Sequence, residues 1–282
     1  MKAGFIGGGN MAQAIAAGLL ARGARAADLA AIEPVEATRA FWITRGMPVF
    51  AAFDASLLDA EVLVLAVKPQ SMAAALAPMR ARLRDQVVLS IAAGVRIADM
   101  ARQLGSADAP SAPYATIVRA MPNTPALVGA GISGLYAPPG VDAASRNKAE
   151  SLLKAVGKTA WFDDETMLDA VTAVSGSGPA YVFYFIEALE QAARDLGMDA
   201  PTARLFATET FSGGAKLAVQ SEDSAATLRA KVTSKRGTTE RAIESFDAAH
   251  LKQRFIEGVA AACGRAKELG DELASPSGER AP

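Results

Sequence analysis

The stretch that most constrains this chain is Gly7-Gly8-Gly9-Asn10-Met11-Ala12, set directly behind the apolar run Lys2-Ala3-Gly4-Phe5-Ile6. It reads G-x-G-x-x-A on a turn from a strand into a helix, and each small residue has a use there. Gly7 permits the tight turn, Gly9 lets the backbone come close to a pyrophosphate, and Ala12 lets the helix pack near the sheet. The helix start then offers free N–H groups and a positive dipole end to phosphates. A βα turn kept small purely for packing is the alternative. The helical run over 10–21 immediately behind the glycines favours the dinucleotide.

The pattern around this turn predicts an α/β layer followed by an all-helical one. Strands are expected at 2–6, 29–33, 62–67, 87–91, 116–121, 132–136 and 159–162, with helices at 10–21, 36–44, 70–81 and 97–103. Apolar strands alternating with helices argue for a doubly wound, mostly parallel sheet covered on both faces. Beyond residue 164 only helical runs follow, at 165–173, 179–196, 201–220, 224–231, 239–246 and 251–269. The expected division is therefore 1–163 for the nucleotide domain and 164–274 for a helical domain, with 275–282 a polar, disordered tail.

Composition excludes several function classes. A formal net charge of −1 points away from nucleic acid and anionic membrane surfaces as partners. The strongest apolar runs end at Lys68 and Glu187, far short of a bilayer span, and the chain opens straight into a strand, which predicts no signal peptide. One cysteine, Cys263, rules out an internal disulfide and suits a reducing cytoplasm; with a single histidine besides, no metal centre is expected.

Several further stretches sit where strands or helices end. Glu33 closes the second strand about 20 residues after the glycine turn, where a carboxylate would accept from ribose hydroxyls and repel a 2′-phosphate. Alternatively Glu33 is solvated, and Thr38 and Arg39 hold a phosphate. Ala66-Val67-Lys68-Pro69 and Ser90-Ile91-Ala92-Ala93-Gly94 end two more strands, at the edge where an open parallel sheet binds its ligand. Lys68 would meet phosphate or ribose there, and the small residues would let a flat nicotinamide lie against backbone; a solvated lysine and plain packing explain them as well. Pro122 and Pro125 fix the backbone around Asn123 and Thr124. Ser177 and Pro179 suit a helix start, and Ser234 to Thr239 form a polar loop opening another helix, where amides and hydroxyls would take a carboxylate.

Together these stretches resemble the pyrroline-5-carboxylate reductase family. The matching segments are GFIGGGNMA at 4–12, LAVKP at 65–69, SIAAG at 90–94, RAMPNTP at 119–125, VSGSGPAY at 174–181 and VTSxxGTT at 232–239. The resemblance spans nearly the whole chain. It implies a Rossmann domain plus an all-α dimerisation domain that interlocks with its twin, often within a decamer, acting on a small cyclic imine with NADPH or NADH. It places cofactor contacts on Ile6, Gly7, Gly8, Gly9, Asn10, Met11, Ala66, Val67, Lys68, Pro69, Ile91, Ala92 and Ala93, joined by Glu33 from the spacing above. Substrate contacts fall on Glu165, Ser234, Gly237, Thr238 and Thr239, with Thr239 bonding the ring nitrogen and Glu165 facing a cationic imine.

This chain departs from the family pattern at four places. Lys235 and Arg236 replace a Pro-Gly pair, Lys231 and Phe53 replace asparagines that can touch the cofactor, and Glu33 replaces a small polar residue suited to NADPH. Two rivals remain in view. A β-hydroxyacid dehydrogenase would need a proton-transferring lysine on the long helix, and none occurs from Tyr181 to Ala188. A silent nucleotide-sensing protein would have no use for an intact substrate loop.

Overall fold

The computed structural model describes residues 1–274; the tail expected at 275–282 lies outside the described residues. Eight strands form one sheet in the order β3-β2-β1-β4-β5-β6-β7-β8. They are β1 (Ala3–Ile6), β2 (Leu29–Ile32), β3 (Val49–Phe50), β4 (Val62–Leu65), β5 (Val87–Ser90), β6 (Ile117–Met121), β7 (Gly131–Tyr136) and β8 (Gly157–Trp161). β1 is flanked by β2 on one side and β4 on the other, both parallel to it. The winding therefore reverses between β1 and β4, the position where such sheets open a ligand crevice.

Alternation along the strands explains the two-sided core. Phe5, Val62, Val64 and Leu89 face one layer, with α1 (Asn10–Ala21) and α5 (Ala143–Lys154). Ile6, Leu63, Leu65 and Val88 face the other, with α3 (Met72–Leu76) and α4 (Ile97–Leu104). Strands buried on both faces read as continuous apolar runs, which is what made them visible in the sequence.

The structure departs from the expected elements at four points. β7 runs antiparallel to β6. Only residues 122–130 join the two strands, too few for a crossover helix. The helix expected over 70–81 is cut down to α3 between two 3-10 turns, because Pro69 and Pro78 cannot continue a helix interior. The segment after β8 forms only α6 (Met167–Val171), followed by a π turn at Thr172–Gly176. β3 and α5 are additional elements. α2 (Glu36–Ile43) follows β2 as expected.

The described residues divide into two compact units, one of residues 1–176 with 262–274 and one of Ser177–Ala261. The second unit is wholly helical, with α7 (Gly178–Asp195), α8 (Ala200–Gln220), α9 (Ala225–Lys231), α10 (Thr238–Ala248) and the first part of α11 (Leu251–Ala274). Tyr181 and Phe185 of α7 pack on Phe255 with ring centroids 5.6 and 5.7 Å apart. Much apolar surface of these helices remains uncovered: Phe183, Tyr184, Phe206 and Val219 are 64%, 69%, 57% and 72% exposed.

Candidate active site

The carboxyl ends of β1, β4 and β5 bring the expected cofactor residues of the first unit together. Ile6 lies beside Leu65 in the sheet, and Ala66 N–H donates to the Ile6 carbonyl at 2.8 Å. Ile91 N–H in turn donates to the Leu65 carbonyl at 3.1 Å, so the segments 6–11, 66–69 and 91–93 stand side by side. Gly7 turns with φ +97°, and a Cβ there would lie 2.7 Å from the Ala66 carbonyl oxygen, so only glycine fits.

Gly9 is open in the opposite sense. A Cβ added to it would meet nothing within 4 Å, and its φ of −72° suits any residue. It caps α1, whose start carries no side-chain cap and no acid in its first turn. An uncovered backbone at an uncapped helix start is a cradle for a pyrophosphate, and the residues present fit a dinucleotide. Asn10 and Lys68 are exposed beside it, while Ala92 is buried and Ala93 half-buried.

Glu33 differs from its expected part. Its carboxylate turns inward at 7% exposure, with Oε2 accepting the Gly8 N–H at 2.9 Å and Oε1 accepting the Val35 N–H at 2.8 Å. The end of β2 points this side chain at the glycine turn, and each of its oxygens accepts one backbone amide. Arg39 donates to the Glu33 and Pro34 carbonyls at 3.0 and 2.7 Å.

Glu165 is held by two partners of the first unit. Its Oε1 accepts from the Arg119 guanidinium at 3.0 Å and from Ile97 N–H at 2.9 Å. Arg119 is only 2% exposed, and a buried guanidinium requires such a partner. Burial pulls the Arg119 pKa below its usual value, against the opposing pull of Glu165. The guanidinium offsets part of the charge that Glu165 would turn toward a cationic imine. Beside it Arg96 pairs with Asp169 at 2.8 Å. Sequence reasoning gave Arg119 no part, because its partner lies 46 residues away.

Asn123 holds backbone as well. Its amide accepts from Ile132 N–H at 2.9 Å and donates to the Ser175 carbonyl at 3.1 Å, tying the start of β7 to the π turn. Ser177 stands at the N-cap of α7, although its side chain makes no capping bond, and Pro179 lies in the first turn.

Ser234, Gly237, Thr238 and Thr239 come together in the second unit. Gly237 N–H donates to the Ser234 carbonyl at 3.0 Å, and a Cβ on Gly237 would lie 2.9 Å from that carbonyl oxygen. Gly237 caps α10 without a side-chain cap, leaving first-turn amides for an anion. Thr239 is half-buried at the second position of α10, and Thr238 is exposed. Arg236 takes the left-handed conformation, φ +60°, and its N–H is held by the Glu240 carboxylate, so the loop closes without a Pro-Gly pair. Lys231 pairs with Asp223, and Phe53 lies under the Arg82 guanidinium. No group of acidic, histidine or cysteine side chains suited to a metal ion occurs among the described residues.

A pyrroline-5-carboxylate reductase of Haemophilus influenzae is 43% identical over 94% of this chain and 96% of its own length. The chain belongs to the pyrroline-5-carboxylate reductase family. A family model described as pyrroline-5-carboxylate reductase dimerisation matches residues 165–269. Another, described as NADP oxidoreductase, coenzyme F420-dependent, matches residues 2–94. Among solved structures, a reductase of this family from Coxiella burnetii superposes with a TM-score of 0.86 at 38% identity, covering 95% of this chain and 98% of its own. The pyrroline carboxylate reductase of Plasmodium falciparum, solved with NADP bound, gives 0.82 at 25% identity, covering 96% and 98%. Membership of the reductase family thus extends over both compact units.

Proposed function

We propose that this chain reduces L-1-pyrroline-5-carboxylate to L-proline with NADPH or NADH, the last step of L-proline biosynthesis. The observation that carries the reading is near-complete alignment with reductases of this name, joined to an open pyrophosphate cradle at Gly9. The bound nicotinamide supplies a hydride to the imine carbon, and the ring nitrogen ends with one proton more than the neutral imine. A protonated cyclic imine is already electrophilic, so neither a metal nor a covalent nucleophile is required. The chain's own task is proximity and orientation.

The amides at the start of α10, from Gly237 to Thr239, anchor the substrate carboxylate, with the Ser234 hydroxyl beside them. The Thr239 hydroxyl holds the ring N–H in line; as a weak acid it positions the proton and does not supply it as a tuned acid. Glu165 faces the cationic imine with a charge partly offset by Arg119. Ile6–Met11, Ala66–Pro69 and Ile91–Ala93 would hold the cofactor.

The working unit is a homodimer, assembled further into a decamer, and its site draws on both chains. The exposed apolar faces of α7 and α8 support this, being more than a solvated helical layer carries. No described helix is long and apolar enough to cross a membrane. A cytoplasmic location suits the single Cys263. The test is steady-state oxidation of each reduced nicotinamide by pyrroline-5-carboxylate. Substrate-dependent turnover is expected, and its absence from a folded oligomer would refute the reading.

A further inference from the structure

The middle glycine of the turn, Gly8, is gripped from three directions. Its N–H donates to Glu33 Oε2 at 2.9 Å. Its carbonyl accepts from the Trp42 indole N–H at 3.0 Å and from the Gln13 amide at 2.9 Å. Trp42 is fully buried and locked by Phe5 and Phe41, with ring centroids 5.2 and 5.7 Å away. A Cβ on Gly8 would lie 2.7 Å from the indole nitrogen and 2.9 Å from the Glu33 Cβ. The peptide groups on both sides of Gly8 are therefore fixed, and everything that fixes them lies on the protein side of the turn.

Building on the nicotinamide-cofactor reading above, we infer that Glu33 and Trp42 are positioning residues for the pyrophosphate cradle. Glu33 does not act as a reader of the ribose or its 2′-phosphate. The clamp spends the N–H and carbonyl of Gly8 inward, so the turn's open backbone at Gly9 and the start of α1 faces the ligand already in place. Preorganisation of this kind lowers the ordering cost of binding. It acts on the pyrophosphate, which both nicotinamide cofactors share. A ribose reader, by contrast, acts where they differ.

Sparing the ribose end predicts a distinctive pattern of binding. In Glu33→Gln an amide replaces the carboxylate, and only one of its ends can accept, so either Gly8 or Val35 loses its partner. Dissociation constants for NADH and for NADPH, read by nicotinamide fluorescence on titration, should both rise about tenfold, the loss of one buried charged hydrogen bond. Their ratio should stay within about twofold, as should kcat at saturating cofactor. Trp42→Phe keeps an aromatic ring but loses the N–H together with part of the indole; because Gln13 still reaches Gly8, both constants should rise about threefold. Leu153→Ala weakens the same core layer away from Gly8, Glu33 and Trp42 and should leave both constants unchanged.

A rise for one cofactor only, or a gain for NADPH over NADH in Glu33→Gln, would overturn the inference and restore Glu33 to the ribose. Unchanged affinities in folded Glu33→Gln and Trp42→Phe would overturn it too, as would Leu153→Ala matching their losses. If Glu33→Gln does not fold, Trp42→Phe decides alone. A native chain that binds neither nucleotide would sink the cofactor reading itself, and the clamp with it.

Discussion

Gly9→Ala separates the ligand cradle from the fold more cleanly than any other single change. The new methyl meets nothing within 4 Å, and φ −72° with ψ −173° is ordinary for alanine. Two small stability terms oppose each other. Alanine restricts the unfolded chain, a gain of about 0.4–1 kcal/mol, but it is a poorer N-cap than glycine, a loss of similar size. Stability should stay within about 1 kcal/mol of the native chain, a shift of roughly 2–4 °C at most. Binding should behave otherwise. The methyl occupies the space through which phosphate oxygens reach the amides, and each charged hydrogen bond lost is worth about 1.5–3 kcal/mol. Affinity for NADH and NADPH should fall roughly 10–100-fold together.

Gly7→Ala serves as the contrasting case. There the methyl would lie 2.7 Å from the Ala66 carbonyl oxygen on a backbone at φ +97°. The left-handed conformation alone costs about 1–2 kcal/mol, before β4 shifts to relieve the contact. That variant should melt well below the native protein. Thermal melting followed by circular dichroism, with fluorescence titration of each cofactor, distinguishes the two. A Gly9→Ala protein that binds both cofactors as the native chain does would refute the cradle. A Gly9→Ala protein that melts like Gly7→Ala would refute the geometry assigned to the turn.

Thr239→Ala should lower kcat roughly 10–100-fold while leaving the cofactor KM nearly unchanged, as for a positioned hydrogen bond felt in the transition state; steady-state kinetics at saturating cofactor checks this. Arg119→Met should destabilise the protein by about 3 kcal/mol, because it strands Glu165 against Ile97 N–H in a site built for a charge pair; chemical denaturation measures the loss. Mixing Gly9→Ala with Thr239→Ala chains, followed by subunit exchange, should restore part of the activity if the site draws on both chains, and none if each chain works alone.

The strands and the glycine turn were legible because they depend on local chemistry. Runs such as Val62–Leu65 are buried on both faces and cannot be mistaken for surface. α5 escaped because its sequence, AASRNKAESLLK, buries only Ala149, Leu152 and Leu153. β3 escaped because it is two residues long. The antiparallel turn from β6 to β7 depends on a connection length, which apolar periodicity does not report. Among the site residues, Gly7 and Gly9 could be assigned from the turn they make. The partners of Glu33 and Glu165 could not be read in this way, since Gly8 N–H and Arg119 reach their oxygens across 25 and 46 residues of chain. Spacing indicates that an acid stands at a strand end; only the fold shows which way it turns.

The central claim is a hydride passed to the carbon of a cyclic imine, and isotope transfer tests it most directly. The purified protein would be given pyrroline-5-carboxylate with NADPH, and separately NADH, deuterated at the transferring position of nicotinamide C4. Mass spectrometry of the product should find L-proline carrying one deuterium on the ring carbon that was double-bonded to nitrogen, with at least one of the two cofactors. Proline without the label, or no proline from a folded protein that binds the cofactor, would contradict the account.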